Sequence, residues 1–213
     1  VSPNGCLPAL TYNNEVVESG FWHITEFLKR EGYDLNEALD EEQKAQSVAY
    51  ISLIQDSLSD ALLFSWYLVS ENFADAIRPR LARLFGLPFS LLIPTQLRDY
   101  AQQRLEAHGG LLRSKIPRIY LLAKEGFKRH ADKSAHPVYE VANKCLDVLS
   151  SKLGSKDYFF GERPTTLDTV AYGYLSLILY PELPQATLKS IITSKYPNLV
   201  SFCDRMHSQI EKP

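Results

Sequence analysis

Three cysteines and five histidines are the side chains of this sequence best suited to nucleophilic, redox or metal chemistry. Cys6, Cys145 and Cys203 are too far apart for a clustered metal site, and their odd number argues against a disulfide framework. A reducing compartment follows, such as the cytosol or a surface facing it. Cys6 lies two residues before Pro8 with no Lys, Arg or His nearby in sequence to lower its pKa, so it reads as an inert thiol rather than a nucleophile. Cys145 and Cys203 fall on apolar helical stripes and read as core. His23, His108, His130, His136 and His207 show neither metal-ligand spacing nor a paired carboxylate pattern. No catalytic residue, cofactor site or metal site is expected.

The most informative carboxylate is Asp168. In Pro164-Thr165-Thr166-Leu167-Asp168 the spacing fits a capping box, with the Thr165 hydroxyl accepting from the Asp168 amide and the Asp168 carboxylate reaching back to the Thr165 amide. Such a cap is worth about 1 kcal/mol at a surface and more where water cannot reach the freed amides. A structural role explains Asp168 without catalysis. Leu7-Pro8 follows a turn-prone opening and precedes a strand, a setting where a cis peptide costs only about 0.5 to 1 kcal/mol over trans. Glu18-Ser19 stands where a helix begins, so Ser19 reads as its cap and Glu18 as a favourable charge at its positive end.

The elements that must position these residues are mostly helical. Residues 7–12 read as a strand, Asn13-Asn14 as a hairpin turn, and Val16 and Val17 as the returning strand. Phe21, Ile24, Phe27 and Leu28 recur at helical spacing, and Gly32 stands where that helix would stop. From Asp40 onward Val48, Ile51, Ile54, Leu58, Leu62 and Ser65 line one stripe of a long helix. Further helices are expected near 71–85, 95–108 and 117–130. An amphipathic helix carries Val138, Val141, Cys145, Leu149 and Leu153 and ends at Gly154. The next carries Leu167, Val170, Ala171, Tyr174, Leu175 and Ile178, is apolar nearly all round, and ends at Pro181, as expected of the centre of a bundle. A last helix bears Leu199, Phe202, Cys203, Met206 and Ile210, entered through Tyr196-Pro197. Trp22 and Trp66 read as core or interface aromatics.

A net charge of -2 hides an asymmetry. Residues 1–77 carry 3 basic and 13 acidic groups, residues 78–133 carry 12 basic and 4 acidic, and the remainder is balanced. The basic block, with Arg113, Lys115 and Arg118 near its middle, suits a solvated helix face, an anionic lipid surface or an acidic protein surface. Nucleic acid is the poorest fit, because no aromatic-rich strand motif or zinc spacing accompanies the charge. Every apolar run is shorter than the roughly 18 residues that span a bilayer. The nearest approach, residues 84–94, is broken by Pro88 and Pro94 and is expected to pack between two helices, with docking on a partner or membrane as the alternative. Val1 does not look like a start, so the chain is expected to be part of a longer product.

The hairpin, the Glu-Ser helix start, the capping box in FFGERPTTLDTVAYGYL and the closing YPNLVSFCDRM resemble the glutathione-transferase architecture. Closer still, KCLDVLSSKLGSKDYFFGERPTTLDTVAYGYLSLILYPELP and VSPNGCLPALTYNNEVVESGFWHITEFLKREGYDL resemble the metaxins, in particular the metaxin-like subunit of the fungal sorting and assembly machinery. The resemblance implies a mainly α fold: residues 1–35 would be the hairpin and last helix of a thioredoxin-like domain, and residues 36–213 an all-helical glutathione-transferase C-terminal-like domain. It also implies a non-enzymatic subunit on the cytosolic face of the mitochondrial outer membrane. Its partners would be the β-barrel assembly channel and a second metaxin-like subunit, with β-barrel precursors as further contacts. By resemblance to transferases instead, the chain would be a cytosolic glutathione-dependent enzyme in which Glu18 and Ser19 bind the γ-glutamyl end of glutathione and Pro8 aligns its cysteine backbone.

Overall fold

A computed structural model describes residues 8–13, 15–112 and 137–210. The chain opens with strands β1 (Ala9–Tyr12) and β2 (Glu15–Ser19), paired antiparallel with Ala9 opposite Ser19 and Tyr12 opposite Glu15. A bulge between Leu10 and Thr11 shifts the register, and Asn13 enters the turn at φ 50°. Helix α1 (Phe21–Arg30) follows and ends in a Schellman motif: Tyr33 N–H donates to Leu28 O at 2.8 Å and Gly32 N–H to Lys29 O at 3.1 Å. Gly32, at φ 89°, takes the left-handed position that this stop requires.

Helix α2 (Glu41–Leu63) begins at a capping box, with Asp40 accepting from Gln43 N–H at 2.7 Å and Gln43 accepting from Asp40 N–H at 3.2 Å. Its buried stripe is Ser47, Ile51, Ile54, Leu58 and Leu62. Val48 faces out at 51 % exposure, so the stripe enters through Ser47 instead. The helix then loosens into a π-helical turn (Phe64–Leu68), breaks at extended Val69, and resumes through α3 (Ser70–Asn72), a second π-helical turn (Phe73–Ile77) and α4 (Arg78–Leu84). The helix expected over 71–85 is present from Ser70 to Leu84, with a π-helical turn set into it. π-Helical turns shift carbonyls off the regular ladder, and the buried Asn72 amide takes one of them, donating to Ser65 O at 2.9 Å. The same amide donates to Gln185 O at 2.9 Å, and Asn72 Oδ1 accepts from Gln185 N–H at 2.7 Å.

Helix α5 (Phe89–Leu112) starts six residues before its expected beginning and runs through Pro94. Pro94 faces inward with Ala101 and Leu105, so packing outweighs the ladder bond that proline removes near the helix start. The Leu87–Pro88 peptide just before it is cis. The helix expected near 117–130 lies outside the described residues. Helices α6 (Pro137–Leu153), α7 (Thr166–Leu179), α8 (Thr187–Lys195) and α9 (Pro197–Ile210) complete the fold. Sequence periodicity had given no sign of α8, whose nine residues place only Leu188 and Ile192 in the core.

The core sits where α2 packs against α6 and α7, with α9 closing over α6, α7 and α8. Ile51, Ile54, Leu58, Leu146, Leu149, Leu153, Leu167, Leu175, Ile192, Leu199 and Phe202 are fully buried there, and Phe159 meets Phe202 edge-on at 5.3 Å between ring centroids. Helix α7 is less completely enclosed than expected, since Leu177 is 45 % exposed. A second correction concerns residues 84–94. Instead of packing between helices, Leu84 is 74 %, Leu87 79 % and Phe89 59 % exposed, because α5 uses Pro94, Ala101 and Leu105 for its inner face and leaves the corner before it outside the bundle.

Candidate functional site

A polar cluster surrounds the start of α7. Asp168 is wholly buried, and its Oδ1 accepts from Phe159 N–H at 2.9 Å. Its Oδ2 accepts from Thr165 N–H at 2.8 Å and from the Thr165 hydroxyl at 2.6 Å. Thr165 is the N-cap, in extended backbone, and forms a capping box with Asp168. Burial pushes the Asp168 carboxyl above the usual carboxylate range, against the pull of the donors from Thr165 and Phe159. The next amide, Thr166 N–H, donates to Asn36 Oδ1 at 3.0 Å, and Asn36 N–H in turn donates to Asp34 Oδ1 at 2.8 Å. Each carboxylate oxygen is thus occupied by backbone or hydroxyl donors of the same chain, which fixes the helix start. Nothing in that arrangement presents a reactive atom to a cleft.

The remaining sequence-derived residues do not gather around this cluster. Pro8 accepts from Gly20 N–H at 2.8 Å through its carbonyl, tying the end of the hairpin to α1, while the Leu7–Pro8 bond lies outside the described residues. Ser19 is buried at the end of β2, one residue before the α1 N-cap. The cap is Gly20, with no side-chain bond, which corrects the expectation that Ser19 caps this helix. The glycine at φ 88° turns the chain more sharply than a serine cap would permit. Glu18, itself partly buried, pairs at 3.4 Å with the exposed Arg30 at the far end of α1. Arg113, Lys115 and Arg118 lie outside the described residues, as do Cys6, His130 and His136.

Cys145 and Cys203 are free and buried, and burial pushes each thiol up to about 12. His108 does have a carboxylate, contrary to the reading of spacing alone: its Nδ1 lies 2.7 Å from Asp60 Oδ2, and Arg104 Nε donates to Asp60 Oδ1 at 3.3 Å. That trio joins α5 to α2 across 44 to 48 residues of sequence, a separation no local pattern reveals. His207 Nδ1 sits 2.8 Å from the Tyr172 hydroxyl. Trp22 is half exposed, whereas Trp66 packs against the core. Arg80 and Arg83 share an open groove of about 420 Å³ with Asp75, Pro79, Glu182 and Leu183. Asn36 and Asn72 were missed by sequence reasoning. Asp34-Leu35-Asn36 carries a turn signal that pointed to the first, but nothing near Asn72 foretold its bonds to Gln185.

Comparison with known proteins adds relatives to this geometry. Residues 142–206 match the family described as "Glutathione S-transferase, C-terminal domain", and residues 1–98 match "Outer mitochondrial membrane transport complex protein". Over 207 residues, 97 % of this chain, it is 28 % identical to metaxin-1 of Macaca fascicularis, covering 61 % of that relative. Metaxin-1 of Homo sapiens is also 28 % identical over 97 % of this chain, which covers 41 % of it. Metaxin-2 of Mus musculus is 28 % identical over 206 residues, with 97 % of this chain and 70 % of the relative covered. The chain thus spans less than two thirds of the length of the metaxin-1 relatives it matches.

Proposed function

Because the chain is a homologue of the metaxins with a glutathione-transferase-like, mainly helical fold, we propose that it serves protein import at the mitochondrial outer membrane as a non-enzymatic docking subunit. In this reading residues 1–35 are the C-terminal part of a thioredoxin-like domain and residues 36–213 the all-helical glutathione-transferase C-terminal-like domain. It docks on the β-barrel assembly channel from the cytosolic face, beside a second metaxin-like subunit, and supports insertion and release of β-barrel precursors. Arg113, Lys115 and Arg118 contact the anionic membrane surface or an acidic partner. The observation that carries the proposal is similarity to metaxins along 97 % of the chain, joined to a match of its first 98 residues to an outer-membrane transport component.

The geometry is in keeping with a mechanical role. Asp168 and Thr165 are consumed in holding α7, and the described thiols are buried and protonated at neutral pH. Binding energy in such a body concentrates in a few anchor residues on its surface. The test is extraction of native outer membranes in mild detergent with the full-length protein tagged. Retention of a channel-forming subunit and a second metaxin-like protein is expected. Recovery of the protein alone, or efficient turnover of a thiol conjugate after capture on immobilised glutathione, would refute the proposal. Charge reversal at Arg113, Lys115 and Arg118 is expected to weaken either complex assembly or liposome association.

A further inference from the structure

The corner between α4 and α5 combines three features that bear on what covers it. First, residues 84–97 contain no charged side chain, yet the corner is open to solvent: Leu84 is 74 %, Leu87 79 %, Phe89 59 %, Leu91 57 % and Leu92 52 % exposed. A contiguous apolar surface of this kind is unusual on a soluble body and marks a contact. Second, residues 83–89 are exposed one after another, without the alternation of a helix or strand that has one buried face. The corner therefore presents apolar side chains along an unbroken stretch of chain, and the charges around it indicate what covers it.

Third, the tip is rimmed by cations. Arg78, Arg80 and Arg83 are exposed on α4 immediately before it, and Arg98 follows it on α5, its guanidinium 4.9 Å from the Phe73 ring. Asp75 and Glu182 share the groove with Arg80 and Arg83, and Asp99 lies on α5, so arginines outnumber carboxylates around the tip. Basic residues beside an apolar tip suit a leaflet of anionic lipid, where each contributes within a Debye length of the surface.

We infer that the α4–α5 corner is a membrane-insertion tip: Leu84, Leu87, Phe89, Leu91 and Leu92 enter the interfacial layer of an anionic bilayer while Arg78, Arg80 and Arg83 pair with lipid phosphates. The tip reaches the boundary between headgroups and acyl chains, roughly 5 to 10 Å deep. It sharpens the proposed outer-membrane role without depending on it.

The test uses the whole chain with vesicles of neutral phospholipid and otherwise identical vesicles containing an anionic phospholipid. Flotation should recover the protein with the anionic vesicles, less so as salt rises. Leu87→Asp/Phe89→Asp, and separately Arg78→Glu/Arg80→Glu/Arg83→Glu, should each lower partitioning at least roughly tenfold. Far-UV circular dichroism checks that both variants fold. Independently, Phe89→Trp should show blue-shifted emission on anionic vesicles and quenching by lipid brominated near the top of the acyl chain. Absence of vesicle binding, binding unchanged by Leu87→Asp/Phe89→Asp, or Trp emission unaltered on vesicles that hold the protein would overturn the inference. So would a Leu87→Asp/Phe89→Asp variant that keeps the vesicles but loses its protein partners. Failure of partner retention with lipid insertion intact would instead refute the docking role alone.

Discussion

Replacing Asp168 by alanine strips the start of α7 of its internal acceptor. The Phe159 and Thr165 amides, now bonded at 2.9 and 2.8 Å, are left buried without partners, since Phe159 is 0 % and Thr165 4 % exposed. Each orphaned donor costs about 1 to 3 kcal/mol, and relief of the carboxylate's own desolvation returns on the order of 1 kcal/mol. The net expectation is a loss of about 1 to 5 kcal/mol. In a chain of 213 residues this lowers the melting temperature by roughly 2 to 20 °C. Asp168→Asn keeps one acceptor oxygen and should lose about half as much, and Thr165→Ala about 1 kcal/mol. Urea unfolding followed by far-UV circular dichroism, with an unchanged m value, supplies the measurement. The pH dependence adds a sign. Because burial raises the folded pKa of Asp168, its titration favours the fold fully below the ordinary carboxylate pKa, and that contribution is lost as pH rises through the raised value. The advantage of the wild type over Asp168→Asn should therefore narrow across that window. A loss below about 1 kcal/mol for Asp168→Ala would show that the box does not hold α7, and the reasoning would fail.

Asn72→Ala should cost about 2 to 4 kcal/mol by chemical denaturation, because it frees the Gln185 amide and the Ser65 carbonyl at once. Phe159→Ala should cost about 3 to 5 kcal/mol, as it empties a fully buried site and removes the edge-on contact with Phe202. Cys145 and Cys203 should resist iodoacetamide in the folded protein at neutral pH and react fully in denaturant, as read by site-resolved mass spectrometry. Rapid native labelling of either would contradict a thiol pushed up to about 12.

Local signals carried most of the architecture. The i, i+3, i+4 spacing of Leu167, Val170, Ala171 and Leu175 and the Thr-x-x-Asp box reveal α7 because both act within a few residues. Gly32 and Gly154 at positive φ likewise mark helix ends through backbone sterics alone. What the sequence hid is set by distant neighbours. Ser47 is covered and Val48 is not, although only the second is apolar, because the packing of α2 in the bundle, not the polarity of the residue, decides which flank of its stripe is covered. Asn72, between the two π-helical turns, finds Gln185 across 113 residues. The burial expected for residues 84–94 failed since hydrophobicity says that a surface wants covering, not whether the same chain covers it. Charge density singles out Arg113, Lys115 and Arg118, but it is a property that names no address on the molecule.

The bond from Thr166 N–H to Asn36 gives the first forty residues a load path into the centre of the bundle. A tug on the hairpin unit would be felt at the root of α7 before it peeled α2 away. Whatever grips the hairpin and α1 therefore has a handle on the innermost helix, and strain arriving there would spread into the body around it.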